Sequence, residues 1–176
     1  MSTSASSAPG PPQNWEQWVQ AYGDIEPYLE MREGSSGEMA SRLSTRWTEE
    51  KFIKIKLPFA LRLSWNRVQT VREISVHRYC APAFSFAFDA LDRKRLGVFV
   101  YELGGVYADR AVRGGSRLST HAYAAAIDFN PETNALGTDG EMHLAVVETF
   151  EELGFTWGGR WARKDPMHFQ YGKEWP

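Results

Sequence analysis

The segment 110–128, RAVRGGSRLSTHAYAAAID, and the short run DPMHF at 165–169 set the tightest constraint on how this chain folds. Their histidine and aspartate side chains do chemistry only if they meet in space. His121 and Asp128 stand seven positions apart, so on one continuous strand they point to opposite faces. A turn must intervene. STHAY supplies it as loop while AAAIDF enters a sheet, which brings the His121 imidazole back over the Asp128 carboxylate. In the second run Pro166 disfavours helical backbone at Asp165, so Asp165 and His168 are expected on extended or turn backbone.

Hydrolytic zinc sites take three protein ligands and one water, and imidazole with carboxylate is a common mixture. His121, Asp128 and His168 are therefore candidate metal ligands, and Asp165 is a spare carboxylate. The two acids suit different work. A ligand carboxylate neutralises charge and fixes geometry, whereas an unligated neighbour can take a proton from an attacking water and deliver it to a leaving amine. Asp128 is assigned the first role and Asp165 the second. Spacing alone leaves a plainer alternative, in which the histidines are ordinary hydrogen-bonding residues and the aspartates cap turns.

Other features carry less chemistry. Asp128, Asn130 and Glu132 echo the start of a calcium loop, but Thr133 replaces its glycine and Asp139 its final glutamate. His77 and His143 are single histidines on a strand and a helix, which makes them structural. Cys80 is the one cysteine, so no internal disulfide is available and a buried apolar role is expected.

The rest of the chain supplies a scaffold. Residues 1–13 are Ser, Pro, Gly and Ala-rich and read as a disordered leader. Trp15, Trp18, Val19 and Tyr22 recur at helical spacing after Asn14, a possible N-cap, and Gly23 stops the helix. This aromatic stripe is a docking face onto the main domain or, alternatively, a wall-binding surface. A polar linker or loop follows, so 14–46 is expected as N-terminal helix and linker and 47–176 as the main domain. KFIKIKLPF and VREISVHRY read as strands, with Pro58 ending the first at an edge. Pro82 opens a helix burying Phe84, Ala87, Phe88 and Leu91. VFVYEL at 98–103 reads as a buried strand broken by Gly104 and Gly105, and AAAIDF at 124–129 as another. Residues 141–153 place Met142, Val146, Val147, Phe150 and Leu153 on one helical face, with Gly154 after it. FTWGGRWARKDP reads as loop and MHFQY as a last strand. Without regular βαβ alternation, the pattern is α+β with a small, mainly antiparallel sheet and flanking helices.

A chain of 176 residues that is 43% hydrophobic can bury a genuine core. A net charge of −2 without a basic run gives no nucleic-acid footprint. No apolar run reaches membrane-spanning length, so stable membrane insertion is not expected. The start MSTSASSAPGPPQ has neither the basic nor the apolar region of a signal peptide, which implies synthesis in the cytoplasm and action on an external target only after release or export. A monomer is the default.

SRLSTHAYAAAIDFNP at 116–131, ELGFTWGG at 152–159 and DPMHFQ at 165–170, in that order, resemble the zinc D-alanyl-D-alanine carboxypeptidases, and most closely their branch of L-alanyl-D-glutamate endopeptidases and phage endolysins. The resemblance covers roughly 70–171. It implies the Hedgehog/DD-peptidase-like zinc peptidase fold, a Zn2+ cofactor, the peptide stem of bacterial peptidoglycan as partner, His121, Asp128 and His168 as zinc ligands, and Asp165 as catalytic base. It further implies that Arg110 holds the substrate carbonyl and its oxyanion and that Ser119 hydrogen-bonds the peptide. A surface ion pair and a turn-capping hydroxyl are the alternatives for these two. Trp157 and Trp161 flank the Gly-Gly turn as cleft walls for substrate or as core lids. The expected activity is L-Ala-D-Glu endopeptidase; a D-Ala-D-Ala carboxypeptidase, with Arg113, Arg117, Arg160 or Arg163 holding a terminal carboxylate, and a non-catalytic zinc-stabilised wall-binding module are the rivals. One position departs from the family: Ala124 stands where it carries glycine, which costs roughly 1 kcal/mol or more if that residue has positive φ.

Overall fold

The computed structural model of the protein describes residues 9–33, 37–110 and 118–173. Helix α1 (Trp15–Tyr22) starts where the Asn14 side chain accepts a hydrogen bond from the Gln17 N–H and stops at Gly23, whose φ of 91° suits glycine. Strands β1 (Leu29–Glu33) and β2 (Met39–Leu43) pair as an antiparallel hairpin where a linker was expected. The proposed boundary near 47 falls inside α2 (Thr45–Lys51). Pro12, in the stretch read as a leader, is buried, and its carbonyl accepts from the Lys173 N–H.

The main sheet is larger and more mixed than the sequence pattern suggests. It has six strands in the order β4 (Asn66–His77), β3 (Phe52–Leu63), β5 (Glu102–Gly105), β6 (Ala126–Phe129), β8 (His168–Tyr171) and β7 (Phe155–Trp157). β3 and β5 run parallel and the other pairs antiparallel. The parallel pair is made possible by a long crossover through α3 (Ala81–Arg93). Pro58 does not end β3. The strand continues past it, and the pairing with β4 shifts register between Lys56 and Leu61, so the missing N–H falls at the irregularity.

Two further expectations change. The run VFVYEL forms a strand only from Glu102; Gly97–Phe99 is a 3-10 turn in which Val98 is 74% exposed while Val100 is fully buried. An apolar run carries no period that separates a turn from a strand, and only one of its valines reaches the core. Phe155–Trp157, read as loop, pairs with β8 as an edge strand.

The core face of the sheet packs on α3 and α4 (Leu144–Glu152) through Phe84, Phe88, Phe129, Phe150, Phe155 and Phe169, all essentially buried. Ring centroids lie 4.8 Å apart for Phe150 and Phe169 and 4.9 Å for Phe84 and Phe155, the tilted and edge-on contacts that aromatic quadrupoles favour. A second aromatic cluster, Trp18, Tyr22 and Trp47 around Tyr123, comes from the N-terminal elements and is equally buried. At the rims, β4 is a twelve-residue edge carrying exposed Arg67, Arg72 and Glu73, whereas the opposite edge, β7, is only three residues long. Among the described residues no helix is long and apolar enough to cross a membrane.

His77 packs into the second cluster, its ring against Tyr22 and Trp47, with the Cys80 thiol buried beside its carbonyl. The His77 Nδ1 accepts the Tyr79 N–H, which leaves the proton on Nε2 to donate to the Tyr22 carbonyl at 3.0 Å. Burial pushes this imidazole down to about 4 and the Cys80 thiol up to about 12, so one stays neutral and the other inert. Because the unfolded chain binds a proton at His77 in the window from pH 6.5 down to about 4 and the folded chain does not, folding stability falls with pH across that window. The His77 contribution to the fall is expected to be about 3 kcal/mol. Urea denaturation across this window should give a shallower pH slope for His77→Gln than for the wild type.

Candidate metal centre

Three elements bring the donors together. Residues Thr120–Tyr123 form one 3-10 turn, capped where the Ser119 hydroxyl accepts the His121 N–H, and the turn exits through Ala124 in the left-handed region at φ 48°. β6 then carries Asp128, and its register against β8 sets Asp128 directly opposite His168. On both strands the two-residue period sends Asp128 and His168 to one face and Phe129 and Phe169 to the phenylalanine core. Gly104 on β5 leaves room for the acid, since a Cβ there would lie 3.0 Å from that of Asp128. The expected turn between His121 and Asp128 is present.

The donor atoms form a tight triangle. His121 Nε2 lies 3.1 Å from Asp128 Oδ1, His168 Nδ1 lies 3.0 Å from the same oxygen, and the two nitrogens are 3.1 Å apart. Tetrahedral coordination with bonds of about 2.0–2.1 Å places its ligand atoms about 3.3 Å apart. The triangle fits such an ion with little adjustment. Among the described residues this is the one group of three or more His, Cys, Asp or Glu side chains whose donors gather in this way.

Bonds behind the rings fix which nitrogen is offered. His121 Nδ1 lies 2.9 Å from the Val106 carbonyl, so it carries the proton and leaves Nε2 bare. His168 is held the other way round. Its Nε2 donates to Gln170 Oε1 at 3.1 Å, with the Thr120 hydroxyl at 3.4 Å, and Nδ1 faces the triangle. Gln170 is itself fixed, because its amide donates to the Gly172 carbonyl. When the rings are protonated instead, as they can be without a metal, burial would raise Asp128, but the charge of His121 and hydrogen bonds from both imidazolium rings outweigh it and hold the carboxyl well below its usual range. Burial would lower His168, yet the hydrogen bond and charge of Asp128, with the charge of Asp165, raise it.

Asp165 arrives on a turn closed by the hydrogen bond from His168 N–H to the Asp165 carbonyl at 3.0 Å. Gly158 receives this turn: the Asp165 N–H donates to its carbonyl, and a Cβ at 158 would lie 2.6 Å from the Asp165 carbonyl oxygen. The two tryptophans separate in role. Trp157 donates its indole N–H to Pro166 and stacks on Phe169, so it supports the turn from behind. Trp161 lies 5.3 Å from the His168 ring. Arg110 is beside the ligand turn through its backbone, its carbonyl accepting from Ser119 N–H.

Of the candidate cations, Arg113 and Arg117 lie outside the described residues, and the Arg160 guanidinium is bonded twice to Glu151 at 2.7 and 2.8 Å. Asn130, in the stretch whose calcium-loop pattern is broken by Thr133 and Asp139, accepts the Glu102 N–H and donates to the Phe99 carbonyl. His143 caps α4 and stacks on Phe99. Sequence reasoning missed Gln170. Its signal was available, for it stands two positions after His168 on a strand and so shares its face.

A protein-family model described as D-alanyl-D-alanine carboxypeptidase matches residues 113–171, about a third of the chain. No curated protein and no solved structure matches. The matched span contains His121, Asp128, Asp165 and His168, so the donor triangle and the adjoining carboxylate lie within the part of the chain that is similar to that family.

Gln170→Leu should weaken metal binding by about 10–100-fold in a calorimetric titration, because His168 then loses the bond that selects its tautomer. Ala124→Gly should change unfolding free energy by less than ~1 kcal/mol, since relief of left-handed strain, about 1–2 kcal/mol, offsets a lost buried methyl and added chain flexibility. Ala87→Gly, buried in α3 without strain to relieve, should cost about 2 kcal/mol in the same urea denaturation experiment.

Proposed function

We propose that the protein is a zinc peptidase that hydrolyses an amide in the peptide stem of bacterial peptidoglycan, cutting between L-Ala and D-Glu. The observation that carries the reading is the triangle of His121, Asp128 and His168 donors with Asp165 on the adjoining turn. Two imidazoles and a carboxylate suit zinc, and three protein donors rather than four is the composition of hydrolytic sites. Zinc held there supplies Lewis acidity toward the scissile carbonyl.

The chain's own groups do the remaining work. Asp165 takes a proton from the attacking water as its oxygen bonds to the carbonyl carbon, then returns that proton to the amine as the C–N bond breaks. Arg110 is assigned to the charge that develops on the carbonyl oxygen, where a fixed cation in a water-poor cleft counts most. Trp161, next to His168, walls the cleft. Ser119 secures the ligand turn through its cap, and Trp157 secures the Asp165 turn. No covalent intermediate forms.

The description of the matching family favours a second reading, removal of a terminal D-alanine. That reaction needs a cation for a free carboxylate, and the pairing of Arg160 with Glu151 weighs against that residue. Mass spectrometry of peptidoglycan fragments treated with zinc-loaded protein separates the two. New ends between L-Ala and D-Glu are expected; loss of one alanine would replace the endopeptidase by the carboxypeptidase. Asp165→Ala is expected to retain zinc and lose about 10²–10⁴-fold in turnover, whereas His168→Ala should lose the metal. Stoichiometric zinc with no product from any stem peptide would leave a binding module.

A further inference from the structure

The turn that presents His121 is one four-residue piece of 3-10 helix ending in a left-handed alanine, which is too short and too strained to hold its own shape. Besides the Ser119 cap, support comes from outside. The Ala124 carbonyl accepts from the His77 N–H at 3.0 Å, and the Ala122 carbonyl accepts from the Trp47 indole N–H at 2.8 Å. Trp47 is fully buried, and its ring meets Tyr123 edge-on at 5.7 Å and Tyr28 at 4.9 Å. It lies well before the residues matched by the family model.

The same N-terminal stretch reaches the other parts of the centre. The Leu43 N–H donates to Asp109 Oδ2 at 2.9 Å, next to Arg110, and the Tyr22 hydroxyl donates to the Tyr171 carbonyl at 2.7 Å on the strand of His168. These contacts are directional hydrogen bonds as well as packing. A ligand must be held within about half an ångström of its working position, so a clamp on the residue that follows His121 acts on the ligand itself.

We infer that Trp47 is a positioning residue of the metal centre, its indole N–H fixing the Ala122 carbonyl and through it the His121 imidazole. The inference rests on the reading of His121, Asp128 and His168 as metal ligands. It makes residues 15–51 part of the catalytic scaffold and not a separable attachment.

The test is zinc affinity of the full chain by competition with a chelator, at a temperature where circular dichroism shows each variant folded. Trp47→Phe keeps a ring in the cluster and removes the N–H. It is expected to weaken zinc about 5- to 30-fold, at or somewhat below the effect of losing a partner bonded directly to a ligand ring. Val146→Ala, a core truncation in α4 on the far side of the sheet, should stay within about twofold of wild type if stability alone does not set affinity. Equal zinc affinity in Trp47→Phe and wild type, or an equal loss in both variants, overturns the inference.

A second measurement needs no variant. Hydrogen exchange at the wild-type Trp47 indole N–H should slow when zinc is added, since ligand and clamp order one turn; an unchanged rate would mean that Trp47 serves packing alone. Folded wild type that takes up no zinc would remove the metal centre itself, a failure distinguishable from the first.

Discussion

Three electron-rich atoms, two imidazole nitrogens and a carboxylate oxygen, sit within 3.1 Å of one another in a largely buried place. Bare nitrogens so close repel, and burial removes the water that would screen them. Such a triangle persists only if every group in it is held from behind. The chain does this with backbone register for Asp128 and His168, a capped turn for His121, and outer hydrogen-bond partners for both imidazoles. The two rings are offered through different nitrogens because the partners behind them differ, a main-chain carbonyl in one case and a locked glutamine in the other.

Packing then fixes the frame on which those bonds depend. The phenylalanine core stiffens β6 and β8 on the face away from the donors, and the tryptophan and tyrosine cluster of the N-terminal elements stiffens the His121 turn. Aromatic rings are well suited to this. They remove much surface from water while freezing few torsions, and an indole N–H or a phenol hydroxyl at the rim can still reach a main-chain carbonyl. Trp47, Trp157 and Tyr22 all do so.

Much of this was legible in the sequence, though unevenly. The cap at Asn14, the stop at Gly23 and the helix at 81–93 followed from local chemistry, which acts within a few residues, whereas the helix expected over 141–153 starts only at Leu144, where His143 caps it. So did the turn between His121 and Asp128, because strand parity required it. The size and mixed direction of the sheet did not follow: the parallel contact of β3 with β5 joins residues forty positions apart, and no local pattern encodes it. Short segments failed for a related reason. Val98 and Val100 look alike in sequence and differ only in what the fold places beside them. Within the site, residue types revealed the candidate donors, whereas the supports behind them did not announce themselves. Gln170 shared the face of His168, but Trp47 reaches Ala122 across 75 residues of chain, a distance that only the folded structure closes.

The two rims of the sheet have a consequence for how copies of the protein behave at high concentration. An open strand edge is a template for another strand, and a twelve-residue edge such as β4 is long enough to seed edge-to-edge growth. Its exposed Arg67, Arg72 and Glu73 make an incoming strand bury charge, and the register break opposite Pro58 spoils the regular ladder such growth extends. At the other rim β7 offers too few residues to copy. Resistance to fibre-like association is thus written into residues remote from the donor triangle, and it can be lost by substitutions that leave that triangle unchanged.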